Sequence, residues 1–312
     1  MKNASGLSIL TAADLLAANL PPRTEILAPL LACDTAALVY GPSGIGKSFF
    51  ALGVAWAVAA GGSFLGWQAP RPRRVLYVDG ELGATELRER LGLFGPPPPG
   101  LMISAHGFGG GPLLDLSEDA GIVRLMAAWD EPALVVLDAL STLAGLGSGD
   151  PERWDRLQRF LLHQRTHRRA VLMVHHVNKE GELHGTTRRE NALDLMMALR
   201  RPEERIASGN ARFEIHFEKT RRRHPGRGGS PLMPVLAELE TDEAGRGRWR
   251  WGPAAGGRLE RAAALLNRGL NARDAADALG IGRSSLFKLK AEARAKGLLT
   301  GGLPTKRTGG EP

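Results

Sequence analysis

One cysteine, Cys33, is all the chain has, which excludes an internal disulfide framework and leads us to expect a reducing, cytoplasmic setting. Nowhere do apolar residues run without interruption for the ~18 positions that a membrane-spanning helix needs, so no membrane partner is expected. The first residues lack a basic stretch followed by an apolar core and a small-residue cleavage site, so no secretory leader is expected. No internal repeat is visible. Acidic residues run short in only one region. Residues 241–312 hold 14 Lys+Arg against 7 Asp+Glu, a net +7, whereas the first 240 residues hold 27 against 26, a net +1. Polyanions attract such a segment by counterion release, which makes nucleic acid the first partner to consider beside a merely solvated tail.

What is present is a chain of 312 residues, 43% apolar and 24% charged, as expected for a globular protein with one large core and a small satellite. Short apolar runs mark nine expected strands: Ala36–Tyr40, Arg74–Asp79, Leu101–Ser104, Leu134–Asp138, Ala170–His175, Leu193–Leu199, Arg212–Glu218, Val235–Glu240 and Arg248–Trp251. Helical patterns lie at Ser48–Ala60, Thr85–Leu93, Asp119–Trp129 and Glu152–His167. The early strands are nearly all apolar, as in a parallel sheet buried on both faces. The later ones alternate, with Phe213, Ile215 and Phe217 set between Glu214, His216 and Glu218, as in a half-exposed antiparallel extension. Strand–helix–strand repetition gives an α/β fold.

GPSGIGKS, residues 41 to 48, follows the first of these strands and opens a helix. It fits G-x-x-x-x-G-K-[ST]. Glycines at this spacing let backbone N–H groups curl around a polyphosphate, and the helix N-terminus presents positive potential to the anion. Gly41, Pro42, Ser43, Gly44, Ile45, Gly46, Lys47, Ser48 and Phe49 are therefore candidate nucleotide contacts, with Lys47 on the outer phosphates and the Ser48 hydroxyl on Mg²⁺. LVVLD ends in Asp138 at a strand's C-terminal end, where ligands of open α/β sheets bind, and Asp138 is the second candidate Mg²⁺ ligand. VLYVDGEL places Glu81 just past a strand, where a carboxylate can orient the attacking water; Asp79 is a rival for that role. AVLMVHHVNK ends a strand in His175 and His176. Neighbours on a strand point to opposite faces, so one of the two is expected to face the γ-phosphate, and the sequence does not say which. Arg188 and Arg189, in HGTTRRENALD, are candidates for an arginine finger reaching a neighbouring subunit. The loop EKTRRRHPGRGG offers Arg221, Arg222 and Arg223 to a DNA backbone, with no aromatic residue for base stacking.

Taken in order, strand–GPSGIGKS–helix, YVDGEL, VVLD and VHHVNK resemble the RecA-like ATPases, and most nearly the RepA-type plasmid replicative helicases with related plasmid and phage ATPases. The resemblance covers roughly residues 10 to 250. It implies a RecA-like P-loop core over residues 1–252, ATP and Mg²⁺ as ligands, Glu81 as catalytic glutamate, a histidine of the pair as sensor, and a hexameric ring around DNA. Arg90, or Arg88, would match an arginine on the helix after Glu81. GTTRRENALD departs from the expected Arg-Gly-Ser-like stretch, with His184 before Gly185.

Residues 258–300 read as a separate helix-turn-helix: a helix from Leu259 to Asn267, a second capped by Asn271 and running to Leu279, a turn at Gly280–Gly282, and a third from Arg283 to Lys296. Ala275, Ala276, Leu279, Ile281, Leu286 and Leu289 would form its core. Arg283, Ser284, Ser285, Lys288 and Lys290 would meet DNA. Residues 301–312 are expected to be a disordered tail. Three functions follow as expectations. One is a DNA-dependent ATPase and replicative helicase of a mobile element; one is an ATP-switched DNA-binding regulator or loader. The third, a small-molecule kinase, lacks a lid with clustered arginines.

Overall fold

The computed structural model describes residues 9–110, 114–128, 131–145, 151–177, 191–202, 211–221, 232–254, 258–267, 270–279 and 281–299. Arg188, Arg189, Arg222, Arg223, Gly280 and the tail from residue 301 lie outside them. In chain order the strands are β1 (Glu25–Leu27), β2 (Leu31–Ala32), β3 (Ala36–Gly41), β4 (Ser63–Phe64), β5 (Trp67–Gln68), β6 (Val75–Asp79), β7 (Leu101–Ser104), β8 (Leu134–Asp138), β9 (Ala170–His176), β10 (Leu195–Arg200), β11 (Ala211–Thr220), β12 (Val235–Thr241) and β13 (Gly247–Pro253). The helices are α1 (Ala12–Ala17), α2 (Lys47–Ala60), α3 (Ala84–Gly92), α4 (Asp119–Ala128), α5 (Leu140–Leu143), α6 (Pro151–Thr166), α7 (Arg258–Asn267), α8 (Ala272–Ala278) and α9 (Arg283–Ala295). None is long and apolar enough to cross a membrane.

Nine strands form one sheet in the order β13-β12-β11-β10-β3-β9-β8-β6-β7. These are the nine expected from the sequence, with ends that move by no more than two residues. From β10 to β7 every pairing is parallel; from β10 to β13 every pairing is antiparallel. The extension therefore begins one strand later than the alternation of the later strands suggested, because β10 is buried along most of its length and pairs parallel with β3. The sheet has an apolar cluster on each face. α2 covers one, with Val39, Tyr77, Val136 and Val174 beneath it. α5 and α6 cover the other, with Leu38, Val78, Val135 and Met173. Edge-on aromatic contacts join Phe50 of α2 to Phe64, Trp67 and Phe213, which ties the extension and the β4–β5 hairpin to the helix that opens the phosphate loop.

The two hairpins escape a periodicity reading because their strands are only two or three residues long. In the second, Leu65 (φ 50°) and Gly66 (φ 84°) both take positive φ, the two-residue turn that suits a twisted hairpin. Among residues 258–299, α7, α8 and α9 pack on one another. Ala262, Ala275, Ala276 and Leu286 form one small cluster, and Leu259, Ala263 and Ala293 form another. Asn271 caps α8, its side-chain oxygen accepting from the backbone N–H groups of Arg273 and Asp274 at 3.0 Å each.

Candidate active site

β3 delivers Gly41 to the C-terminal edge of the sheet, and the loop that follows turns through two left-handed glycines, Gly44 (φ 72°) and Gly46 (φ 107°). At Gly46 a Cβ would also stand 2.7 Å from the Cβ of Ala211, so this position is closed to any side chain both by conformation and by β11. α2 then starts with no side-chain cap and no acidic residue in its first turn, leaving its N-terminal N–H groups and positive potential to an incoming anion. Ser43 and Gly44 are exposed, whereas Ile45 and Phe49 turn their side chains into the core. Only the backbone of those two can reach a nucleotide. The Phe49 ring lies under the Arg90 guanidinium, 4.7 Å from it, while Arg88 is exposed. This places Arg90, and not Arg88, against the phosphate-loop helix.

Lys47 is buried, and its ammonium spends all three hydrogens: on the carbonyl oxygens of Gly41 (3.0 Å) and Pro42 (2.8 Å), and on Nδ1 of His176 (3.1 Å). An ammonium can only donate, so Nδ1 accepts and the imidazole carries its proton on Nε2. That Nε2–H donates to Oε2 of Glu81 at 2.9 Å. The result is a continuous chain, Lys47–His176–Glu81, between the phosphate loop and the candidate catalytic carboxylate. Burial lowers the Lys47 pKa to about 8, against the opposing pull of Asp138 and Glu81. The histidine pair is thereby divided. His176 belongs to the α2 side, and His175 is buried beside Tyr40 on β3, its neighbour in register.

Asp138 is buried at the end of β8 and accepts the Tyr77 phenol at 2.5 Å and the Ser48 hydroxyl. Burial raises its pKa; the Tyr77 and Ser48 hydrogen bonds hold it down, and the nearby Glu81 and Asp79 carboxylates raise it further. Tyr77, fully buried against this carboxylate, is pushed well above the usual phenol range and remains a donor. Among the described residues no group of three or more His, Cys, Asp or Glu forms a metal cage. Ser48 paired with Asp138 still fits Mg²⁺, which keeps several waters and takes one or two protein oxygens beside substrate phosphates.

Asp79 does not compete with Glu81. Its buried carboxylate accepts from the backbone N–H groups of Glu81 (3.2 Å), Leu82 (2.9 Å), Gly83 (3.0 Å) and His106 (3.2 Å), which fixes the loop that presents Glu81. Sequence reasoning missed this role for Asp79, and missed Tyr77. A carboxylate followed by Gly and a turn was the available signal for the first. Glu81 itself is 44% exposed, open to water.

The cationic candidates lie elsewhere. Arg221 directly follows β11 at the sheet edge opposite the phosphate loop; its guanidinium donates to the Asn191 carbonyl, and Asp194 lies 3.9 Å away. Its backbone N–H also donates to the Asp194 carbonyl at 2.8 Å. The structure thus gives Arg221 a strand-end clamping role that the sequence did not suggest. On α9, Arg283, Ser284, Ser285 and Lys288 are exposed and Lys290 is half-buried.

A family profile described as the AAA domain matches residues 3–182. No curated protein sequence matches the chain. Among solved structures, a KaiC-like protein of the hyperthermophilic archaeon Pyrococcus horikoshii superposes with a TM-score of 0.50 at 15% identity, covering 73% of this chain and 99% of that one. At that identity the likeness speaks for the fold alone, a RecA-like α/β sheet.

Proposed function

The chain belongs to the AAA-domain family of P-loop ATPases, and from that premise we propose that it hydrolyses ATP with Mg²⁺ to act on DNA, as a ring-forming helicase of the RepA type. The observation that carries the reading is the Lys47–His176–Glu81 chain. It sets a carboxylate that faces water two hydrogen bonds from the ammonium that would hold the outer phosphates. Glu81 would orient and deprotonate the attacking water; Asp79 keeps its loop in place. His176 touches both partners, so loss of the γ-phosphate would redistribute its two bonds and move β9 with the segment after it. Ser48 and Asp138 would hold Mg²⁺, which supplies charge neutralisation on the phosphate oxygens. For action on DNA the support is the basic C-terminal quarter, the exposed cations of α9 and the motif order shared with RepA-type helicases. The helices α7 to α9 are read as a helix-turn-helix, with α9 as the recognition helix.

ATP turnover with and without single-stranded DNA tests this, beside strand separation on a forked duplex. Turnover stimulated by DNA, abolished in Lys47→Ala, and reduced ~100-fold or more in Glu81→Gln with nucleotide binding kept, is the expected pattern. Absence of turnover sinks the enzyme reading. Turnover that ignores DNA, together with a footprint on duplex and no strand opening, selects the second reading, an ATP-switched DNA-binding regulator or loader. The capped three-helix unit is the observation that favours that alternative.

A further inference from the structure

β13 closes the antiparallel side of the sheet, and among the described residues no strand pairs with its outer edge. It runs for seven residues, Gly247–Pro253, in unbroken register with β12 and with no bulge to twist it away. Its outward backbone N–H and C=O groups therefore stand as a row that another strand can pair with. The side chains along this edge are sorted by chemistry. Successive residues of a strand point to opposite faces, so Arg248 and Arg250 lie on one face and Trp249 and Trp251 on the other. Trp249 packs on Phe64 and Phe213 in the core. Trp251 stays open. Its ring rests on the β4–β5 turn, where a Cβ on Gly66 would stand 2.5 Å from it, and the residue is still 55% exposed. Arg250 reaches Glu240 at 2.9 Å with most of its side chain in water, and Arg248 is exposed. A groove of about 530 Å³ is lined by Glu240 and the four residues from Arg248 to Trp251.

We propose that this edge docks an extended peptide of a partner protein, one in which acidic and apolar residues alternate, and adds it to the sheet as a further strand. β12 shows what β13 accepts on its inner side. Glu240 lies opposite Arg248 and Glu238 opposite Arg250, while Leu239 lies opposite Trp249 and Ala237 opposite Trp251. The outer edge presents the same four side chains, so a strand with the same alternation fits it. Its carboxylates would meet the two guanidiniums, and its apolar side chains would cover the open indole. A second copy of β13 does not fit, because antiparallel pairing about Trp249 would set Arg248 against Arg250, like charge against like. Single-stranded nucleic acid fits less well than a peptide. Glu240 stands among the arginines and leaves the patch only weakly basic. The edge also offers backbone donors and acceptors in alternation, and a phosphate chain can use only the donors. The inference does not rest on the ATPase or DNA readings above.

The test uses the full chain and a panel of labelled synthetic peptides as long as β13, with Glu or Asp at alternate positions and Val, Leu or Phe between them. Fluorescence anisotropy measures binding, and hydrogen exchange follows the β13 amides. At least one acidic peptide should bind and slow exchange along β13, and its counterpart with Lys in place of each acid should not bind. A chain carrying Arg248→Glu and Arg250→Glu should bind the acidic peptide at least ~10-fold more weakly and gain affinity for the Lys counterpart, an exchange of preference that a misfolded chain would not show. Trp251→Ser should weaken peptide binding ~10-fold and leave nucleotide binding as in the parent. The inference fails if no acidic peptide binds, if the Lys peptides bind the parent equally well, or if binding leaves the β13 amides exchanging as before. It also fails if oligodeoxythymidine, and no peptide, loses affinity in the double-Glu chain; that result would make the edge a nucleic-acid contact. ATP turnover on the same samples judges the enzyme reading separately.

Discussion

Lys47 has three hydrogens and three protein acceptors, so a phosphate must displace at least one of them. Its proton is also loosely held, since burial brings the pKa down to about 8. A polyphosphate favours the charged form. Between pH 8 and pH 10 nucleotide binding should therefore take up a proton, approaching one per site near pH 9, and near pH 6.5 it should take up almost none. Calorimetry of binding in buffers of different ionisation enthalpy measures this directly. Lys47→Arg, which stays charged, should abolish the pH dependence. The same shift has a signature in stability. The folded pKa lies below the unfolded value, so above pH 8 the unfolded chain binds more protons and stability rises with pH until the unfolded lysine titrates. Lys47→Met should flatten that rise between pH 8 and pH 10, seen as the difference in Tm between the two proteins.

At the scale of elements, the loop after β6 is held by one carboxylate. Asp79→Asn offers the same four N–H groups a single carbonyl oxygen and turns an NH₂ toward the others. We expect a loss of about 2–3 kcal/mol in stability and a fall in kcat with nucleotide affinity unchanged, measured by denaturation and steady-state kinetics. β11 imposes a second constraint, through Ala211 and Phe213 against Gly46. Gly46→Ala should lose nucleotide binding, and adding Ala211→Gly should recover only part of it, because the φ of 107° remains. A nucleotide titration of both variants decides this. These two devices also mark where the sequence stopped being legible. Strands buried on both faces write themselves as apolar runs and half-exposed ones as alternation, so all nine were readable. Gly46 was readable as a phosphate-loop glycine, but its contact with Ala211 joins residues 165 positions apart. Asp79 and Glu81 both sit at one strand end, and what separates them is the approach of the His106 backbone from the next strand. The His175–His176 alternation was readable as a rule; which face α2 covers was not.

Across the whole molecule, the cores of the sheet and of α7 to α9 are made from separate sets of residues. The clusters of the three-helix unit draw only on residues 259–299, and α9 turns Leu286 and Ala293 inward while Arg283, Lys288 and Arg294 face water. If the chain grips DNA through this surface, the grip is mainly electrostatic, and salt should loosen it in a countable way. Each lysine on a phosphate contributes about one to the slope of log K against log salt concentration. Replacing Lys288 and Lys290 by alanine in the full chain should therefore weaken binding to any duplex about equally and reduce the slope by roughly two. ATP affinity should stay the same, because neither lysine belongs to the nucleotide site. A slope that does not change would assign the DNA contact to other cations, and the basic excess of the C-terminal quarter would then be a solvated surface.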